Sequence, residues 1–123
     1  MSETTAADPT ATFFAGLAER GHEPILASTS GTLRFELRNG RRTEYWHVTV
    51  AKGDITVSTA NDEADAVVRC DKALFDEMAT GRANAMAAQL RGVLESEGDL
   101  GLVMSFQRLF PSPPKAVYAR RIK

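Results

Sequence analysis

The chain has 123 residues and a mass of 13.4 kDa, and its 15 Lys and Arg residues nearly balance 16 Asp and Glu residues. This length suits one domain, and surface scaling predicts that about two-thirds of the surface of the unfolded chain is buried on folding. A net charge of −1 and a pI near 6.1 exclude the broad positive field on which nucleic-acid binding relies, so neither DNA nor RNA is an expected partner.

The cysteine content and the apolar segments bear on location. Cys70 is the single cysteine and has no partner for an intramolecular disulfide, which favours a reducing compartment and a cytoplasmic protein. The first twelve residues contain no Lys or Arg and lead into no apolar core, so we expect no signal peptide. The longest strongly apolar stretch, residues 100–106, is far shorter than the roughly 20 residues that cross a bilayer.

The first predicted element is a helix that begins at Asp8-Pro9 and ends at Gly21. Asp is a favoured N-cap, and Pro fits the first helical position because its missing N–H would have no partner there. Four apolar residues then recur on one helical face: Phe13, Phe14, Leu17 and Ala18.

A three-stranded meander follows. Residues 32–38 alternate apolar and polar side chains, and Asn39-Gly40 is typical of a two-residue hairpin turn. Such a turn places Leu33 opposite Trp46 and Thr32 opposite His47, and a second turn at Lys52-Gly53 pairs Val50 with Ile55. The predicted apolar face carries Leu33, Phe35, Leu37, Trp46, Val48, Val50, Ile55 and Val57.

The second half of the chain alternates short strands and helices. We predict strands at 65–69 and 93–97, a helix capped by Asp71 and ended by Gly81, and a last helix starting at Gly98-Asp99. Between them, a short helix turns Ala83, Met86, Ala87 and Leu90 towards the core. A meander followed by segregated helices indicates the α+β class, with the helices covering the apolar face of the sheet.

Catalytic and metal-binding signals are weak. Glu44 is the one acid on the apolar face, either as a rim residue near the hairpin end or as a general base. The other candidates are isolated from one another and form no triad, zinc set or calcium loop: His22, His47, Asp62, Glu63, Asp65 and Cys70. We therefore expect no catalytic residue, no metal and no cofactor.

The second half is rich in bulky or flexible apolar residues, which permits two interpretations. They form an ordinary core, or they line a lipid pocket, for which adaptable methionines are suited. Leu100 and Met104 lie outside the apolar face that the last helix presents to the core, so we expect this helix to pack against other residues on two sides.

Residues 64–111 resemble the sterol carrier protein type two family, also called the sterol-binding domain. The resemblance rests on an ordered set of features: the strand 65–69 with its acidic flank, Leu74-Phe75, Gly81, the Ala/Met-rich helix ending at Leu90-Arg91-Gly92, and Glu97-Gly98-Asp99 before the segment 102–106. Together with the meander it covers residues 12–111, which identifies a compact bacterial-type single-domain member. Residues 1–11 are then a flexible N-terminal segment, and residues 112–123 are a Pro-rich basic tail.

The resemblance implies a five-stranded, largely antiparallel sheet with helices on one face and an apolar cavity that holds a fatty acyl chain, an acyl-CoA or a sterol. The residues in matching segments that we expect to contact this ligand are Phe35, Trp46, Val48, Phe75, Met78, Met86, Leu90, Leu102, Phe106 and Phe110. An empty apolar void of about 400 Å³ would cost on the order of 10 kcal/mol. Such a cavity is therefore filled by ligand, smaller than this, or occupied by Met and Phe side chains when free.

Three functions remain open at this point. The leading hypothesis is a non-catalytic lipid carrier in the cytoplasm, as a monomer or homodimer. The alternatives are an isomerase or hydrolase that uses Glu44 as general base, and an accessory module of a separate enzyme. The cationic residues near the C-terminus are either a solvated tail or a site of transient contact with an anionic membrane surface: Lys115, Arg120, Arg121 and Lys123.

Overall fold

A computed structural model describes residues 8–111 of the chain. Its elements, in chain order, are α1 (Pro9–Arg20), a 3-10 turn (Pro24–Leu26), β1 (Ser30–Asn39), β2 (Arg42–Ala51), β3 (Asp54–Ser58), β4 (Ala66–Asp71), α2 (Lys72–Ala79), α3 (Ala85–Leu90), β5 (Glu95–Gly98) and α4 (Leu100–Gln107). The five strands form one sheet in the order β3-β2-β1-β4-β5. Every neighbouring pair is antiparallel except β1 and β4, which run parallel. The α+β class and the largely antiparallel five-stranded sheet are confirmed.

Helix α1 has the termini that the sequence predicts. The Asp8 side chain accepts a hydrogen bond from Ala11 N–H, Pro9 is the first helical residue, and Gly21 ends the helix with a φ of 70°. The helix therefore includes residues 9–11, which precede the domain start expected at residue 12. These residues are part of the folded structure because Thr10 is fully buried. Residues 1–7 and 112–123, which include the predicted basic tail, lie outside the described residues.

The register of the first hairpin differs from the prediction by two residues. Asn39 pairs with Arg42, so the turn is Gly40-Arg41, with Gly40 at a φ of 66°. Leu33 consequently lies opposite Val48 rather than Trp46, and His47 lies opposite Arg34 rather than Thr32. A shift of two leaves each side chain on its predicted face, because side chains alternate with a period of two. The second hairpin has the predicted register, with Val50 opposite Ile55.

Several element boundaries differ from the prediction. Strand β4 extends to Asp71, β5 begins at Glu95 rather than residue 93, and α4 ends at Gln107, before the prolines. Asp71 is the N-cap of α2, as predicted, although its side chain makes no capping hydrogen bond. Helix α2 ends at Ala79, so Gly81 follows the helix instead of terminating it.

Helix α3 buries a different face from the predicted one. Ala85 and Ala88 point into the core, whereas Met86 is 42% exposed and Leu90 is 80% exposed. The helix spans six residues, and its N-cap Asn84 accepts a hydrogen bond from Ala87 N–H. With alanines on its buried side, α3 lies close to its neighbours, and the larger side chains are left on the outside.

The two faces of the sheet differ in character. One face, with Leu33, Phe35 and Leu37 of β1, shares the core with buried residues from all four helices. On the other face, Glu36 accepts hydrogen bonds from Arg34 and Arg69 at 3.0 and 2.9 Å. Burial opposes ionisation of Glu36, but these two arginines outweigh it and lower the pKa of the carboxyl. Within residues 8–111, no helix has the length and apolar character needed to span a membrane.

Candidate functional site

Helix α1 is held over the core by polar contacts with α2. Thr10 donates from its N–H and its hydroxyl to Asp76 Oδ1, at 3.1 and 2.6 Å. Lys72 Nζ lies 2.9 Å from Asp8 Oδ1 and 3.3 Å from Asp76 Oδ1. Burial opposes ionisation of Asp8, but hydrogen bonds from Ala11 N–H and Lys72 outweigh it and lower the pKa of the carboxyl. These contacts fix the start of α1, from which two phenylalanines enter the space between the helices and the sheet.

Aromatic rings fill that space. Phe14 stacks on Trp46 with ring centroids 4.6 Å apart and on Phe75 at 5.2 Å. Phe13 stacks on Phe110 at 4.9 Å. Phe35 and Phe106 join the same cluster, with their centroids 5.1 Å apart. The cluster joins α1, the sheet, α2 and the end of α4 into one apolar core.

The vacant volume left inside this core is small. A cavity of about 10 Å³ remains between sheet and helices, which is about the volume that one water molecule requires. Its walls are formed by Leu33, Phe35, Val68, Phe75, Met78, Ala85, Leu94, Val103, Phe106, Gln107 and Phe110. Within residues 8–111 the enclosed cavity is thus far smaller than about 400 Å³, and side chains occupy the rest of the space between sheet and helices. Phe13 and Phe14 of α1 contact Phe75 and Phe110 beside this cavity, and the sequence alone did not connect this helix with the site.

A larger vacant volume lies at the surface, between the start of α3 and the end of α4. It is an open groove of about 490 Å³. Its walls are formed by Ala83, Asn84, Ala85, Met86, Met104, Ser105, Gln107, Arg108, Phe110 and Pro111. Methionine and aromatic side chains make its walls largely apolar, and Arg108 is the only charged residue among those described as lining it.

The groove and the inner cavity are neighbours. Ala85, Gln107 and Phe110 line both of them. Gln107 Nε2 donates to Gln89 Oε1 at 2.9 Å, and Gln89 Nε2 donates to Ser96 Oγ at 2.8 Å. These two hydrogen bonds connect Gln107 of α4, which lines the groove, to α3 and β5.

The ten predicted ligand-contacting residues fall into three groups. Seven are core residues: Phe35, Trp46, Val48, Phe75, Met78, Leu102 and Phe106. Met86 lines the groove, and Phe110 lines both the groove and the inner cavity. Leu90 lines neither of the two. Contact of these residues with a ligand stays a prediction. Trp46 Nε1 is buried and finds no acceptor within residues 8–111.

Sequence reasoning missed the polar and small residues of the groove. Asn84, Ser105, Gln107 and Arg108 line it, yet none belongs to an apolar stripe or a known motif. The one available signal was the position of Arg108, just beyond an apolar helix and before the prolines.

The candidate catalytic groups lie apart from the groove. Glu44 is half-buried near the first hairpin and accepts a hydrogen bond from Asn39 Nδ2 at 3.4 Å. Burial, reinforced by the neighbouring Asp71 charge, raises the pKa of the Cys70 thiol to about 12, so this thiol is protonated at neutral pH. His22 Nδ1 lies 2.7 Å from Asp54 Oδ1. Among residues 8–111 there is no group of three or more His, Cys, Asp and Glu that could hold a metal ion.

The fold and the groove together define a small α+β domain with an apolar site at its helical layer. The model of the SCP-2 sterol transfer family matches residues 6–111, and the chain belongs to that family. This result confirms the resemblance found in the sequence. Domains of this family bind and transfer lipids and are generally not catalytic.

Solved structures show the same fold at low identity. The chain is 22% identical to the sec-alkylsulfatase Pisa1 from Pseudomonas sp., with a TM-score of 0.65, and the match covers 83% of this chain but only 16% of the sulfatase. The sterol carrier protein domain 2 of Helicoverpa armigera is 21% identical, with a TM-score of 0.64 over 82% of this chain and 84% of that one. Palmitated SCP2L2 from Aedes aegypti is 14% identical, with a TM-score of 0.60 over 80% and 95%. A search of curated proteins found no match.

Proposed function

We propose that the groove binds the hydrocarbon tail of an anionic lipid and that the protein carries this lipid without changing it chemically. The observation that supports this most strongly is the open groove of about 490 Å³, with apolar walls, beside a core that is already filled. A tail that enters this groove exchanges water contact for contact with Met86, Met104 and Phe110, and each methylene buried contributes about 0.8 kcal/mol. The palmitated family member from Aedes aegypti supports a tail of the fatty acyl class.

The preference for an anionic head group rests on Arg108. Arg108 lines the groove, as do the polar residues Asn84, Ser105 and Gln107. A planar guanidinium pairs with a carboxylate or a phosphate through two parallel hydrogen bonds. A fatty acid or fatty acyl phosphate fits this site better than an uncharged sterol.

A steric block of the groove tests the site. Ser105 faces the groove, so Ser105→Trp fills part of its volume with an indole ring, and we expect binding of a fluorescent fatty acid to weaken at least tenfold. Thr56→Trp introduces the same side chain at an exposed position of β3 and serves as the matched control. Unchanged binding by a folded Ser105→Trp protein contradicts the proposed site.

The head-group preference has its own test. Arg108→Met keeps much of the side-chain length and removes the charge. Because exposed ion pairs contribute up to about 1 kcal/mol, we expect up to about fivefold weaker binding of a fatty acid. Binding of the fatty alcohol of equal chain length is the control and should be unchanged. Equal losses for acid and alcohol mean that Arg108 does not recognise the head group.

The other functions that the sequence left open find less support. Glu44 lines neither the groove nor the inner cavity, so a general base at that position would not face the proposed ligand. The match to part of the sulfatase is compatible with an accessory module, which stays a prediction. The cytoplasmic location, the oligomeric state and contact of the basic tail with a membrane also stay predictions.

A further inference from the structure

The methionines of the chain lie in two different environments. Met78 of α2 is fully buried and lines the inner cavity. Met86 of α3 and Met104 of α4 both line the groove, where they are 42% and 52% exposed. Met1, the fourth methionine, lies outside the described residues. Among residues 8–111, the methionine side chains that solvent reaches are therefore the two in the wall of the groove.

A thioether differs from other apolar groups because mild oxidants attack its sulfur. The sulfur lone pair forms a bond to one oxygen of a hydroperoxide as the O–O bond breaks, and the proton on the transferred oxygen moves to the departing oxygen. With hydrogen peroxide the products are methionine sulfoxide and water, so the sulfur loses two electrons and the peroxide gains them. The sulfoxide is polar and carries a hydrogen-bond acceptor where the thioether was apolar.

The other oxidisable side chains of the described chain are less accessible than this pair. Cys70, the single cysteine, is fully buried. Trp46 is partly buried and stacks on Phe14. Peroxide that reaches the folded protein from water should therefore oxidise the two methionines of the groove before these core groups and before Met78.

We propose that Met86 and Met104 are a pair of oxidation sites that make binding in the groove sensitive to hydroperoxides. This inference rests on the proposed function and adds a means of regulating that same site. The two residues come from different helices and line one groove, so two sulfoxides bring polar S=O groups to it from both α3 and α4. A hydrocarbon tail then displaces water from those oxygens without replacing their hydrogen bonds, which lowers its affinity.

The position of the pair also suits reversal of the change. Methionine sulfoxide reductases return the thioether by using electrons from two thiols, which become a disulfide while the oxygen atom leaves as water. A sulfoxide in an open groove is accessible to such an enzyme, whereas one at the buried Met78 is not. Neither Met86 nor Met104 belongs to the buried core, so their oxidation should leave the fold intact.

Peroxide treatment of the full-length protein, followed by binding of a fluorescent fatty acid, tests the proposal. Peptide mass spectrometry assigns each sulfoxide to its residue, and Met86 and Met104 should be oxidised well before Met78. We expect about fivefold weaker binding per sulfoxide and about 25-fold for both, at the low end for an unpaired polar group because the two residues are half-exposed. A loss below about threefold at full oxidation of the pair overturns the proposal. So does a parallel fall in the urea midpoint, because binding is then lost through unfolding.

Matched variants separate the methionines of the groove from the one in the core. Met86→Leu/Met104→Leu keeps apolar side chains of similar size and removes both sulfurs from the groove, so its affinities before and after peroxide should be nearly equal. Met78→Leu retains the pair and should lose as much affinity on oxidation as the wild type. The readout is the ratio of the two affinities within each protein, which is independent of its starting affinity. Equal ratios in the two variants refute the assignment, because another residue is then responsible.

Repair gives a further test and separates this inference from the proposed function. Reductases for both sulfoxide epimers, supplied with dithiothreitol, should restore the wild-type affinity. Removal of both sulfoxides without recovery of binding overturns the proposal. Normal fatty acid binding that oxidation of the pair does not change refutes the regulation alone. An untreated wild type that binds no fatty acid refutes the carrier function, and the inference with it.

Discussion

Phe14→Ala tests whether the core is filled by the aromatic side chains of α1. Phe14 is fully buried, and its ring contacts Trp46, Phe75 and Phe35. Removing the ring vacates on the order of 100 Å³, and at about 24 cal/mol per Å³ the cavity alone costs about 2.4 kcal/mol. Lost burial of the side chain adds about 2 kcal/mol. We therefore expect the free energy of unfolding to fall by about 4 kcal/mol, a large fraction of the 5–15 kcal/mol typical of a domain.

The suitable assay is urea unfolding followed by far-ultraviolet circular dichroism. Tryptophan fluorescence is less suitable, because Trp46 responds directly to loss of the Phe14 ring that stacks on it. With a slope of about 1.5 kcal/mol per M, the midpoint should fall by about 2.7 M. Phe14→Leu keeps most of the volume and should lose less than about 1.5 kcal/mol. Benzene fits a cavity of this kind and at 100 times its dissociation constant should restore about 2.7 kcal/mol to Phe14→Ala. A loss below about 1.5 kcal/mol in Phe14→Ala, with no effect of benzene, would show that α1 does not fill the core.

Two further predictions concern a close backbone approach and a charged network. Gly98 has a φ of 90°, and a Cβ there would collide with the carbonyl oxygen of Asp65, so Gly98→Ala should cost about 3 kcal/mol in urea unfolding. Gly40→Ala is the control, because Gly40 has a φ of 66° with open space around it, and this variant should cost about 1 kcal/mol. Equal losses of stability in the two variants would exclude a collision at Gly98 as the cause. Glu36→Gln should lose about 1 kcal/mol at pH 7, since its bonds to two arginines are charge-assisted but partly exposed. Folding lowers the pKa of Glu36. The ionised Glu36 carboxylate therefore stabilises the fold fully above its unfolded-state pKa, near 4.5, and this stabilisation is lost as the pH falls through its lower folded-state pKa. The stability of Glu36→Gln should accordingly decline less than that of the wild type on acidification, whereas Glu95→Gln, at an exposed acid, should follow the wild type.

The elements that could be predicted were those with local signals. Asp8-Pro9 and Gly21 define α1 because capping depends on neighbouring residues alone. The period of two placed the meander residues on the correct faces, but it could not distinguish two registers that differ by two residues. In β1 and β2 both registers are closed by a two-residue turn containing Gly40, and both bury the same side chains. The choice between them depends on contacts across the sheet, which periodicity does not report.

The site was harder to predict because it depends on where helices lie in space. In α3, Ala85 and Ala88 share one face and Met86 and Leu90 share another, and both pairs have helical spacing. Hydrophobicity favoured the larger pair, whereas close packing of a six-residue helix favoured the alanines. In the same way, the spacing of Phe13 and Phe14 predicts a buried helix face but not that this face enters the space between the sheet and α4. Tertiary packing decides both outcomes.

The position of the vacant volume has an energetic consequence for a lipid carrier. An enclosed apolar void of several hundred Å³ would rival the stability of the whole domain, whereas about 10 Å³ inside the core costs only about 0.2 kcal/mol. The larger volume is an open groove, which water can enter, so the ligand-free fold bears no comparable cost. In the proposed function, folding and ligand binding therefore rest largely on different side chains, with Ala85, Gln107 and Phe110 shared between the core and the groove. For this reason Phe14→Ala should weaken the fold and leave the groove in place, whereas Ser105→Trp should fill part of the groove and leave the fold intact.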